Sequence, residues 1–256
     1  MTARDSTSMG GSNEAFERTR WTDIFSARTS DPDKRRAAVA KVAQRYWRPV
    51  YAYLRRKGMD NEQAKDLTQE FFAEVVLDRG LIQRADRDKG RFRTLLLTAL
   101  DRFVTSDYRK RVAAIRRPEG GVLPLDAMEA DPPVPDRGMQ PDEAFAFAWA
   151  SQLLREALAD VEAACRQAEQ IEHWEVFRRA VAQPALEGTE APSMATLCKE
   201  LGIDGESRAS NMNTTVKRRF RSVLHAKARE LVASRDDVEA EIRDLFEILS
   251  RRGAGA

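Results

Sequence analysis

The sequence has few of the side chains that build metal or nucleophile sites: only two histidines and two cysteines among 256 residues. His173 and His225 lie far apart, and no cysteine stands at metal-ligand spacing beside either. No zinc-protease, redox-dithiol, nucleophile-elbow or phosphate-loop motif occurs. A helical enzyme would need a convergent acid and base, and no such pair is found. We therefore predict no catalytic residue, no metal and no cofactor, and we do not expect an enzyme.

Long apolar runs are also missing, since no segment approaches the roughly 20 residues that a membrane span requires. Residues 1–15 lack the apolar centre of a signal peptide and are polar enough to predict a disordered tail. The low cysteine content is typical of a reducing compartment. We expect a cytoplasmic protein with no membrane partner.

Charge is plentiful but unevenly placed, although 43 basic residues nearly balance 41 acidic ones. Residues 84–117 hold eleven basic and four acidic side chains, a local net of +7. Residues 205–230 have a local net of +5, whereas residues 119–175 have a local net of −10. Two basic blocks around an acidic middle indicate contact with polyanions at two places. The alternative is that both blocks are solvated helix faces.

The apolar residues recur with the helical period of 3.6, and no segment alternates long enough to be a strand, which predicts an all-α fold. A short helix is expected around Trp21, and a second should begin after Asp31. Because proline fits only the first turn of a helix or a kink, we expect a fresh helix to start at Pro49. Asp60, with Gln63 three residues later, predicts a capping box for a helix that ends at Gly80.

Residues 118–141 contain six of the ten prolines, together with acids and glycines, and predict a flexible acidic linker. A long helix should follow from Asp142 to about Gln170, then a shorter one from Ile171. Residues 183–192 predict a second loop.

A helix-turn-helix is predicted near the end of the chain, where SMATLCKELGID is followed by a glycine turn at Gly202 and a helix from about Ser207. Ala209, Met212 and Val216 recur at helical spacing and should face the core. The opposite face would present side chains suited to base edges and phosphates: Arg208, Asn211, Thr214, Lys217, Arg218 and Arg221. A helical hairpin with a hydrated basic face is the alternative.

The segment GRFRTLLLTALDRFVTSDYRKR combines an apolar stripe with cations and aromatic rings. Tyr108 lies among Arg109 and Lys110, and rings beside cations suit single-stranded nucleic acid, whose bases stack while the cations follow phosphates. We expect Tyr108 to stack on bases and Phe103 to pack in the core.

Together these motifs resemble the extracytoplasmic-function (ECF) branch of the bacterial sigma-70 family. YWRPVYAYLRRKG, AKDLTQEFF and GRFRTLLLTALDRFVTSDYRKR are similar to sigma region 2, and TLCKELGI with VKRRFRSVL to region 4. The closing helix and the DLTQEFF motif resemble a subgroup associated with Ser/Thr kinases. The resemblance implies two helical domains: a region 2-like bundle at residues 16–117 and a region 4-like helix-turn-helix at residues 142–250, with a short tail at 251–256.

The resemblance also implies partners and contacts. The clamp helices of the largest subunit of core RNA polymerase would be contacted by Asp66, Gln69, Glu70 and Phe72, and the polymerase flap is a further expected contact. The melted minus-10 strand of promoter DNA would be held by Arg91, Arg102, Ser106, Tyr108, Arg109 and Lys110. The minus-35 duplex would be bound by the basic face of the helix-turn-helix.

Regulation is expected through a Ser/Thr kinase or an anti-sigma factor. Lys65 stands where the family commonly has an acid, and phosphorylation of the nearby Thr68 would add about −1.5 to −2 charges beside Asp66 and Glu70. Thr68 is therefore a candidate phosphosite, unless it is an ordinary helix-surface threonine. The competing function is a stand-alone helix-turn-helix regulator that binds duplex DNA without polymerase.

Overall fold

The computed structural model describes residues 31–78, 80–86, 90–113, 138–232 and 236–250, without the side chains of 78 and 107–113. Within these ranges all regular structure is helical and no strand occurs, which confirms the all-α prediction. The predicted tails, the helix expected around Trp21 and nearly all of the predicted linker lie outside the described residues.

The helices of the described ranges are, in chain order, α1 (Pro32–Arg56), α2 (Asn61–Glu70), α3 (Leu81–Arg84), α4 (Phe92–Ala113), α5 (Pro141–Gln167), α6 (Ile171–Phe177), α7 (Gln183–Glu187), α8 (Met194–Leu201), α9 (Glu206–Arg229) and α10 (Val238–Ser250). Two π-helical segments, Phe71–Asp78 and Arg178–Ala182, continue α2 and α6. None of the helices described here is both long and apolar enough to cross a bilayer.

Helix starts follow the capping signals in the sequence. Asp31 accepts a hydrogen bond from the backbone N of Asp33 at 3.0 Å, so α1 begins where predicted. Asp60 accepts from the backbone N of Gln63 at 2.9 Å, and the Gln63 side chain accepts from the backbone N of Asp60 at 3.3 Å. This reciprocal pair is the predicted capping box, and it fixes the start of α2.

Two predicted boundaries are wrong. No helix starts at Pro49, because α1 continues through it without a break. Pro49 is buried, and α1 as a whole packs against α5, so tertiary packing offsets the missing backbone donor. The loop expected at 183–192 is helical in its first half, because α7, with Pro184 in its first turn, directly continues the π-helical segment Arg178–Ala182.

One continuous hydrophobic core joins helices from both halves of the chain. It includes Val50 and Leu54 of α1, Leu153 of α5, Leu224 of α9 and Leu245 of α10, all buried. The largest interhelical contact is between α1 and α5, which lie on opposite sides of the predicted linker. The helices predicted to form two domains are thus packed together in this conformation, and the division into two domains stays a prediction.

Candidate nucleic-acid interface

The two helices predicted to make a helix-turn-helix are α8 and α9. Ser193 caps α8, its Oγ accepting from the backbone N of Thr196 at 3.1 Å, and Gly202 ends the helix in the left-handed region with φ +67°. A small core then holds α8 against α9 and α6: Val176, Leu197, Ile203, Ala209 and Met212 are all buried there. The two helices are therefore held as one packed unit rather than as a loose hairpin.

The outer face of α9 is open to solvent, as predicted. All six residues proposed to bind duplex DNA are exposed: Arg208, Asn211, Thr214, Lys217, Arg218 and Arg221. The four cations of this set have no ion pair with any residue in the described ranges. Thr214 donates its hydroxyl to the carbonyl of Ser210 at 2.9 Å, which orients the side chain along the helix. This face, which we call the α9 basic face, can donate to phosphates and base edges.

Two other cations of the same block have structural partners. Lys227 is largely buried, with its Nζ 2.6 Å from a carboxylate oxygen of Asp160 on α5. Arg219 donates to Sγ of Cys165 and to Oε1 of Gln170, both at 2.9 Å. These residues tie α9 to the rest of the fold, so only part of the local positive charge is available to a ligand.

The predicted polymerase contacts divide into exposed and buried residues. Asp66 and Glu70 are exposed one helical turn apart on α2, and Gln69 is half-buried between them. Lys65 lies 3.5 Å from Glu62, measured from its Nζ to a carboxylate oxygen, and so compensates one acid of the same helix. The exposed carboxylates form an acidic stripe, which can dock against a basic surface.

Phe72 and Thr68 lie in the interior rather than on that stripe. Phe72 is fully buried and packs edge-to-face on Phe71, with ring centroids 5.5 Å apart. Thr68 is only 1% exposed and donates its hydroxyl to the carbonyl of Ala64 at 2.7 Å. In this conformation neither side chain can reach a partner, and a kinase would reach Thr68 only after α2 opened.

The residues predicted to hold single-stranded DNA are on and just before α4. Arg102 and Ser106 are exposed, one helical turn apart. Tyr108, Arg109 and Lys110 belong to the same helix, but their side chains lie outside the described residues. The structure thus gives α4 an exposed polar side while its Phe103 is buried in the core, as expected.

Arg91 differs from these residues because two carboxylates of α10 hold it. Its Nε lies 2.8 Å from Oε2 of Glu241, and a terminal nitrogen donates to Asp244. Arg93 donates to the other oxygen of Glu241 and has a second nitrogen 3.6 Å from Asp244. We call these four side chains the α10 ion cluster.

Burial removes the charges of this cluster from water, which costs free energy. Glu241 has a side chain only 2% exposed, and desolvation raises its pKa in spite of the two arginines. Desolvation likewise lowers the pKa of Arg93, whose guanidinium carbon lies 4.0 Å from the ring centroid of Trp149. Nε of Arg91 and Oε2 of Glu241 are close but are not aligned for a hydrogen bond. The cluster therefore contributes less stability than its short distances suggest.

Sequence reasoning missed the α10 ion cluster because its partners are about 150 residues apart in the chain. One local signal was present. Glu241 lies three residues after Val238 and four before Leu245, which places a carboxylate on the buried stripe of an amphipathic helix. A buried acid needs a cationic partner, so this position predicts an arginine or lysine nearby.

No metal or substrate site accompanies these surfaces within the described ranges. Histidine, cysteine and carboxylate side chains form no group of three or more there that could hold a metal ion. The cavity beside the α10 ion cluster, lined in part by Tyr46 and Trp149, has a volume of only about 20 Å³. That space suits one or two water molecules and not an organic substrate.

Comparison with known proteins identifies no relative: no protein-family model, curated protein or solved structure matches this chain. The case for a function therefore depends on the residues and geometry described above.

Proposed function

We propose that this protein is a sigma-type initiation factor, which binds core RNA polymerase and directs it to promoters. In this proposal α2 docks on the polymerase, the α9 basic face binds the minus-35 duplex, and the region around α4 holds the melted minus-10 strand. The protein would act in the cytoplasm, and the chemistry would belong to the polymerase. Two domains would separate on the polymerase, joined by the acidic linker.

The observation that supports the proposal is the α9 basic face on a helix that is packed against α8 and α6. Four exposed cations with Asn211 and Thr214 on one side of a helix give both phosphate contacts and amide or hydroxyl groups for base edges. The same helix buries Ala209, Met212 and Val216 on its other side, so its orientation is fixed by the core. The exposed carboxylates of α2 lie on a separate surface, where a protein partner could dock.

Transcription in vitro is the decisive experiment. Purified protein and core polymerase are mixed with DNA from the protein's own operon, and transcripts are mapped. We expect a complex with polymerase on gel filtration and a specific start site that neither component gives alone. If the protein neither co-elutes with polymerase nor directs a start, the proposal is refuted.

Charge reversal on α2 tests the docking surface. Asp66→Lys with Glu70→Lys should abolish co-elution, because both acids are exposed on the proposed contact. Glu172→Lys with Glu190→Lys is the matched control: it reverses two exposed acids outside α2 and should bind polymerase normally. Equal loss in both variants would show that net charge, and not this surface, drives the association.

A stand-alone regulator is the second candidate, and the full exposure of the α9 basic face in the isolated chain favours it. Such a protein would bind palindromic duplex DNA tightly by itself. A sigma factor would bind promoter DNA weakly until polymerase is added. Gel shifts with and without core polymerase separate these two functions.

A further inference from the structure

The last helix, α10, is strongly acidic. Residues 236–250 contain six acids and one arginine. Val238 and Leu245 anchor α10 in the fold, where it contacts α5 and α9. Two of its carboxylates, Glu241 and Asp244, reach the start of α4 and form the α10 ion cluster.

These carboxylates engage the atoms that would bind a phosphate. Arg91 has its Nε in an ion pair with Glu241, 2.8 Å from Oε2, and donates a terminal nitrogen to Asp244. A guanidinium binds carboxylate and phosphate through the same donor fork, so Arg91 cannot serve both fully at once. Arg93 is even less available, since its side chain is only 14% exposed and is covered by Trp149.

From this geometry we infer that α10 is an intramolecular inhibitor whose carboxylates occupy the cations that single-stranded DNA would contact at the start of α4. The inference rests on the proposed function and adds a regulatory element to it. The isolated chain presents the α9 basic face but withholds Arg91. Release of α10 completes the second DNA surface.

The cluster is suited to reversible release. Removing charges from water costs several kcal/mol per ion, and this cost offsets most of the attraction within a buried pair. Asp244 keeps 40% of its side chain exposed, so water and DNA can reach that edge of the cluster. A competing polyanion can therefore engage Arg91 at that edge first, and complete release of α10 then also exposes Val238 and Leu245.

The test measures binding of a fluorescent single-stranded DNA of mixed sequence by the full-length chain over a range of salt concentrations. The variant is Glu241→Gln with Asp244→Asn, which removes from both arginines the two carboxylates of α10. Glu239→Gln with Glu247→Gln is the matched control, because it removes two exposed acids from the same helix. The single variant Asp244→Asn keeps the buried Glu241 and serves if the double variant folds poorly.

We expect the double variant to bind DNA several-fold more tightly. For single strands the slope of log affinity against log salt steepens by about 0.7 for each added phosphate contact, and so by up to about 1.4 for two arginines. Asp244→Asn should give an intermediate slope, and the control variant the wild-type slope. Adding Arg91→Ala to the double variant should remove the share of Arg91, about 0.7 of the gain in slope.

The inference is overturned if the double variant and Asp244→Asn both keep the wild-type slope, or if the control variant gains as much as they do. Transcription with core polymerase is scored separately. Wild-type transcription without any Arg91-dependent gain would refute the role of α10 and leave the proposed function standing. An Arg91-dependent gain in a protein that never binds polymerase would support the inhibitor and refute the initiation factor.

Discussion

The salt dependence of duplex binding should fall when cations are removed from the α9 basic face. This face offers four cations that have no ion pair with the described part of the chain, and each phosphate contact on B-DNA contributes about −0.9 to the slope of log affinity against log salt. Four contacts give a slope of about −3.6, and a fourfold rise in salt then weakens binding about 150-fold. Lys217→Ala with Arg218→Ala leaves two contacts and a slope of about −1.8, so the same fourfold rise in salt weakens binding by this variant only about 12-fold.

Fluorescence anisotropy of a labelled duplex, titrated with the purified chain at several salt concentrations, gives these slopes directly. Lys34→Ala with Arg36→Ala is the matched control, because it removes two exposed cations from the start of α1. The control should keep the wild-type slope. If the α9 variant also keeps it, or if both variants lose the same amount, duplex DNA does not bind through this face.

Three further predictions test the interior. Phe72→Ala should lower the free energy of unfolding by about 3–5 kcal/mol in a denaturant titration, because the ring is fully buried; a change under 1 kcal/mol would mean that it is not core. Thr68→Glu should lower the free energy of unfolding by more than about 3 kcal/mol, because it buries an unpaired carboxylate. Loss of polymerase binding without loss of stability would contradict this prediction. Glu241→Gln should change how the free energy of unfolding depends on pH. The pKa of Glu241 is raised in the folded protein, so this carboxyl stabilises the fold below its ordinary pKa of 4.5, and that stabilisation is lost as the pH rises through its pKa in the folded protein. Wild type should therefore lose stability relative to Glu241→Gln as the pH rises above 4.5 in the same titration, and a constant difference would refute it.

The sequence predicted the local elements best where one short signal decides the conformation. Asp60 and Gln63 form their capping box from residues three apart, and Gly202 ends α8 because a left-handed residue is needed there. Pro49 shows the limit of such rules. Its local preference was overridden by tertiary packing: Pro49 is buried, and α1 packs against α5, which begins about 90 residues further along the chain.

The same distinction separates the candidate sites. The α9 basic face follows from helical periodicity, since burying Ala209, Met212 and Val216 exposes the opposite side. Phe72 could not be assigned by this means, because an apolar residue beside a charged stripe can either pack inwards or contact a partner. Only its position in three dimensions shows that it is core.

The α10 ion cluster is better explained by specificity than by stability. Apolar side chains of similar volume at the Glu241 and Arg93 positions would avoid the desolvation that shifts both pKa values. An apolar contact, however, would hold α10 equally well against any neighbour and would not respond to a polyanion. Carboxylates facing Arg91 and Arg93 make the docking of α10 depend on whether another anion competes for those cations. In the inhibitor that we infer, the arrangement therefore sacrifices some stability while α10 is docked, and the contact that results would respond to nucleic acid.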